Sequence, residues 1–232
     1  MTAGPSNPRI QRIERAERKL RTPRSAAVAG ILFSVLFGVC IFVIGTAFPA
    51  GIAETSTGGL AAKRDAVLLA LALIPFAGIA FLWFIGVVRD LLGEFEDQFF
   101  STVFFGSGLL FLAMTFVSAA IAGGLLGVEL RGSISPAGQE ALTFGRLVMY
   151  QISHNYAIRM AGVFMLSLGT IWYRTGLMPR WLALLTLVVA ITLIIVFNES
   201  FSISLIFPGW VLLISIYILL RNRRSETAVA ET

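Results

Sequence analysis

Six apolar runs, each near or above the length needed to cross a bilayer, constrain this chain more than any other feature. A helix rising ~1.5 Å per residue needs ~20 mostly apolar residues to traverse a ~30 Å hydrocarbon core. The runs are 26–48, 67–88, 102–128, 147–172, 181–197 and 203–220. None shows the sustained apolar–polar alternation of a membrane β-barrel strand. Charged residues make up 13% of the 232 positions, too few to clothe a soluble domain of this size. The expectation is all-α: a polytopic membrane helix bundle of six transmembrane helices with no separate soluble domain. The first run follows a basic flank, as a signal peptide would. It is longer than a signal core and lacks a small-x-small cleavage site, so it reads as the first span.

Loop charge sets the expected orientation, because Lys and Arg accumulate on the cytoplasmic side. With six spans and the N-terminus inside, thirteen Lys and Arg fall on the cytoplasmic side and four outside. Both termini are therefore expected in the cytoplasm, with residues 1–25 as a basic arm and 221–232 as a tail. The arm carries seven basic residues (Arg9, Arg12, Arg15, Arg18, Lys19, Arg21 and Arg24) against Glu14 and Glu17, which equals the whole net charge of +5. It is helix-compatible, with Pro8 suited to a first turn and Glu14–Arg18 and Glu17–Arg21 at i,i+4 spacing. Attraction to anionic lipids explains such an arm. Docking onto an acidic partner is the alternative, with Arg9, Arg12, Arg15 and Arg18 as its contacts. No recognition motif accompanies the charge, so nucleic acid is not an expected partner.

The loop after the second run reverses the charge rule. Asp90, Glu94, Glu96 and Asp97 face one base, Arg89, on the expected cytoplasmic side. Leu91, Leu92, Phe95 and Phe99 share one helical face, which predicts a helical extension with an apolar stripe. That stripe packs on the chain's own helices or contacts a partner.

Small residues recur at every fourth position in two runs. Ala26, Gly30, Ser34 and Gly38 do so in the first, and Ala119, Gly123 and Gly127 in the third. Such faces let helix backbones approach closely in lipid. Packing within the chain and association with another subunit fit them equally.

The fourth run is the most polar. Gln151, Asn155 and Arg159 are spaced i, i+4, i+8 on one face, with His154 beside them. Polar groups at membrane depth are costly and suggest function by default. These lie at the outer end of the span, where polarity is cheaper, so a structural hydrogen-bond cluster is expected, with Glu199 as a candidate partner for Arg159. Pro75 is expected to kink the second span, and Pro208 leaves a re-entrant turn before the sixth open. The Arg174–Trp181 segment reads as a turn, with Gly176 as C-cap and Pro179 starting the next helix. Cys40 reads as a small buried apolar residue.

Catalytic signatures are missing: no HExxH, GxSxG, Walker A or GxGxxG is present. One histidine and one cysteine are too few for a usual metal site. No enzyme activity, cofactor or metal is expected.

Two blocks carry a resemblance. Residues 81–113 (FLWFIGVVRDLLGEFEDQFFSTVFFGSGLLFLA) and 159–183 (RMAGVFMLSLGTIWYRTGLMPRWLA) resemble an uncharacterised family of actinobacterial (mycobacterial) integral membrane proteins. More loosely, the chain is similar to a small membrane subunit associated with Mce lipid-import transporters. An excess of arginine over lysine, 16 to 2, agrees with a GC-rich actinobacterial source. The resemblance implies a multi-pass protein of the plasma (inner) membrane whose partners are other membrane subunits, an Mce permease or its associated ATPase. It carries over no functional residue. The expected function is a non-enzymatic accessory subunit of an envelope transport complex. A small oligomeric transporter or channel using the polar cluster, and a lipid-modifying membrane enzyme, remain as alternatives.

Overall fold

Backbone amides in hydrocarbon need partners within their own segment, and a helix supplies them without help from neighbours. The computed structural model describes the backbone of residues 8–48, 59–92, 98–129, 135–195 and 201–230. It describes side chains for 25–48, 63–90, 99–129, 135–195 and 203–221. All secondary structure among the described residues is helical. The elements are α1 (Pro8–Ala47), α2 (Gly59–Leu92), α3 (Gln98–Glu129), α4 (Pro136–Tyr150), α5 (Ile158–Thr175), α6 (Arg180–Ile195) and α7 (Phe201–Ala230). A π-helical segment, Gln151–Ala157, joins α4 to α5 without a break. The described residues thus form six rods.

Four stretches are long and apolar enough to cross a membrane: Ser25–Ala47, Lys63–Asp90, Phe99–Glu129 and Ile203–Arg221. Their outward faces are apolar. Val28, Leu32, Val35, Val39 and Phe42 form an exposed stripe on α1, and Leu184, Val188 and Ile191 one on α6. Contiguous apolar surface of this kind fits a hydrocarbon solvent.

Aromatic rings fill the middle of the bundle. Phe33 from α1 meets Phe81 from α2 at 4.6 Å between centroids, and Phe81 meets Phe164 from α5 at 5.4 Å. Phe104 from α3 stacks on Phe164 at 4.6 Å, and Phe111 crosses Phe207 from α7 edge-on at 4.8 Å. Offset and edge-to-face pairs suit the ring quadrupole and add to plain burial. α1 packs between α2 and α7, while α5 packs on α3 and α6. Trp210 Nε1 donates to Thr186 Oγ1 at 3.0 Å, linking α7 to α6.

Polar contacts gather at the two ends of the bundle. At one end, Lys63 Nζ donates to Thr46 O at 2.8 Å and Arg146 pairs with Glu129 at 3.3 Å. At the other, Arg89 lies 5.7 Å over the Phe105 ring, Arg174 lies 5.1 Å over Phe100, and Arg221 Nη1 donates to Leu177 O at 2.8 Å. Gly176 caps α5 at φ 67°, its N–H bonded to Trp172 O. The left-handed conformation there suits a residue without Cβ.

The helices differ from the expected runs in some of their bounds. The rod that carries the fourth run begins at Pro136, not near Leu147. Ser135 caps it, accepting the Gly138 N–H at 3.2 Å, and Pro136 occupies its first turn. The fifth run forms a helix of 16 residues, Arg180–Ile195, which rises only ~24 Å, short of a ~30 Å core. Pro208 lies inside a continuous α7, so no re-entrant break occurs at or after residue 201. Pro75 lies inside α2, where its ring and missing N–H favour the expected kink. α1 runs unbroken from the basic arm into the first apolar run.

Candidate functional site

The π segment departs from the α-helical geometry of the other described elements. Hydrogen bonding from i to i+5 widens one turn and leaves spare carbonyl capacity, which side chains can fill. Met149 O accepts Ser153 Oγ from its own rod at 2.9 Å and Ser118 Oγ from α3 at 3.2 Å. The second bond clips α3 to the widened turn. Beside it, the Tyr150 and His154 rings stack face to face at 3.9 Å and 9°. Ser153 Oγ and His154 Nδ1 are 2.9 Å apart and hydrogen-bonded.

The predicted polar residues divide between two faces of this rod. Asn155 Nδ2 donates to Gln151 Oε1, and Arg159 Nη1 donates to Asn155 O at 2.8 Å and to Asn155 Oδ1 at 2.9 Å. Gln151, Asn155 and Arg159 thus form one ladder. Each rung bonds the next, and the guanidinium reaches back toward its own helix. His154 turns elsewhere. With Met149, Tyr150, Ser153, Ala157, Ile158 and Ala161 it lines a partly open cavity of about 100 Å³.

The rest of the cavity wall comes from four other helices. Phe37, Ile41 and Ile44 stand on α1, Ile74 on α2, Phe111, Thr115, Ser118 and Ala119 on α3, and Ser204 and Phe207 on α7. Sequence reasoning missed this cavity, since its lining is scattered from residue 37 to residue 207.

The other candidates fall as follows. Gly30 is enclosed: a Cβ there would collide with Ser215 Oγ and sit 2.9 Å from Phe84. Ser34 is also buried, its hydroxyl bonded to Gly30 O at 2.7 Å. Ala26, Gly30 and Ser34 of the first small-residue stripe are therefore used within the chain. Gly38, half-buried, and Gly127, exposed, have nothing within 4 Å of an added Cβ, and at Gly123 such a Cβ would make only ordinary contact with Leu71 at 3.6 Å. Phe99 is exposed and crosses Phe100 edge-on at 5.4 Å. Arg9, Arg12, Arg15 and Arg18 lie on the first part of α1 and Leu91 near the end of α2, with side chains outside the described residues. Phe95 and Glu199 lie wholly outside them, and with them the expected acidic helical extension and the Arg159–Glu199 pair. Cys40 is buried, its thiol directed at Ala70 O at 3.3 Å. No protein-family model, no curated protein and no solved structure matches the chain, so its function has to be argued from its own residues.

Proposed function

We propose that this chain is a six-span protein of the inner membrane, both ends cytoplasmic, serving as a non-enzymatic subunit of a larger envelope transport complex. On the resemblance of its two sequence blocks, that complex is an Mce-type lipid importer. The observation that carries the reading is the aromatic core. Phe33, Phe81, Phe111, Phe164 and Phe207, drawn from five helices, meet at the centre of the bundle. A bundle filled by rings at its middle suits a scaffold better than a conduit, which needs polar groups or space along its axis. The Gln151–Asn155–Arg159 ladder is bonded rung to rung and lies off the cavity wall, which speaks against the transporter alternative. The charge asymmetry between the two ends supports the orientation.

Purification from the native membrane in mild detergent, with mass spectrometry of what co-purifies, tests this reading. Stoichiometric recovery of other membrane subunits is the expected result. A chain recovered alone and conferring solute flux on liposomes overturns it.

A further inference from the structure

The two ends of the cavity differ in chemistry. Toward the middle of the bundle it is floored by the rings of Phe37, Phe111 and Phe207, packed edge to face at 5.5 Å and 4.8 Å. Ile41, Ile44 and Ile158 continue the apolar wall. Toward the widened turn stand Ser204, His154 and three hydroxyls whose protons are already engaged. Thr115 donates to Phe111 O at 2.9 Å, Ser118 to Met149 O at 3.2 Å and Ser153 to Met149 O at 2.9 Å. A hydroxyl that gives its proton to a carbonyl keeps lone pairs and acts toward a ligand as an acceptor. The lining residues include no Asp, Glu, Lys or Arg, so a cation finds no countercharge there. The apolar floor is equally unsuited to a file of waters.

We infer that this cavity binds the end of a single hydrocarbon chain whose polar terminus donates a hydrogen bond, a long-chain alcohol or a monoacylglycerol. The terminal hydroxyl sits among Thr115, Ser118 and Ser153, and the adjoining methylenes lie on the phenylalanine floor. Both sources share the same chemistry, a hydroxyl at the end of an aliphatic chain. The site goes beyond the subunit reading and does not depend on it.

Photolabelling of the full-length protein in mild detergent tests the assignment, using hexadecanol that carries a diazirine near its hydroxyl. Saturable labelling is expected in peptides covering 37–48, 111–122 and 149–161. Unlabelled hexadecanol and monopalmitoylglycerol compete, and competition by only one of them identifies the source. Hexadecyl methyl ether, which has no donor, competes about tenfold more weakly, the scale of one lost hydrogen bond at a desolvated site. Ala119→Phe fills the cavity and lowers labelling about tenfold, with Ala119→Leu as the smaller filler should phenylalanine disturb folding, judged by gel filtration. Val188→Phe, on the exposed face of α6, leaves labelling unchanged. Labelling spread evenly over the exposed apolar stripes, equal competition by the ether, or undiminished labelling of a folded Ala119 variant overturns the inference.

Discussion

Trp210 Nε1 reaches across 3.0 Å to Thr186 Oγ1, and that hydroxyl passes its own proton to Leu182 O at 2.9 Å. Both residues are buried. The relay ties α6, which otherwise packs mainly on α5, to the helix beyond. Thr186→Val keeps the shape and removes the acceptor, leaving the indole N–H without this partner. The expected loss is about 1 kcal/mol, within the range for hydrogen bonds between helices in membranes. Thr186→Ser restores the acceptor and should recover most of that loss. Reversible denaturation in mixed micelles measures both.

Gly30 and Gly127 separate internal packing from external contact. Gly30→Leu drives a side chain into Ser215 and Phe84 and should destabilise the fold by more than about 3 kcal/mol, beyond ordinary overpacking, because the obstruction begins at Cβ. Gly127→Leu meets nothing within 4 Å of its Cβ and should leave the thermal transition of the purified chain unchanged. In native membranes the same Gly127→Leu should reduce partner recovery more than neutralising three arm arginines does. Exposed ion pairs contribute only ~0–1 kcal/mol each, whereas close helix packing is spread over a whole face. Abundance-normalised pull-downs decide, and loss of the partner only in the arm variant would place the contact in the cytoplasm.

The bond from Ser118 to Met149 O is expected to hold α3 against the widened turn. Ser118→Ala should cost about 0.5–1 kcal/mol. It should also raise hydrogen exchange selectively at the amides of residues 150–157, because the local opening there becomes easier. Uniform exchange changes along the whole rod would show that the bond does not stabilise that turn in particular.

Reporter fusions address the orientation. Fusions within residues 1–20 and after Leu220 should both read cytoplasmic, and one at Gly58 external. An external C-terminus would leave an odd number of spans and remove the six-span arrangement.

The long apolar rods were legible because bilayer thickness imposes a length that composition alone reveals. α1, α2, α3 and α7 cover the first, second, third and sixth runs. The start of α4 was not, since Gln139, Glu140, Thr143 and Arg146 interrupt the apolar residues of 136–146 and a hydropathy reading passes over it. The signal was there in Ser135 followed by Pro136, a cap and a first-turn proline. The side-chain ladder followed from i,i+4 spacing, because Gln151, Asn155 and Arg159 stay in register across the widened turn. That turn itself has no sequence signature, and it sends His154 into a cavity while its neighbour Asn155 stays in the ladder. The cavity and the ring cluster depend on which helices become neighbours, and an apolar helix that faces lipid reads much like one that faces protein.

α1 couples the arm to the core. The helix is unbroken from Pro8 to Ala47, so at ~1.5 Å per residue it is ~60 Å long, about twice the hydrocarbon thickness. Its lower half is the basic arm, and its upper half carries Phe33 and Phe37 into the ring cluster. Arm and core belong to one continuous helix. A partner that grips the arm therefore holds the helix that brings Phe33 and Phe37 to the centre of the bundle, beside Phe207 and Phe111 on the floor of the cavity.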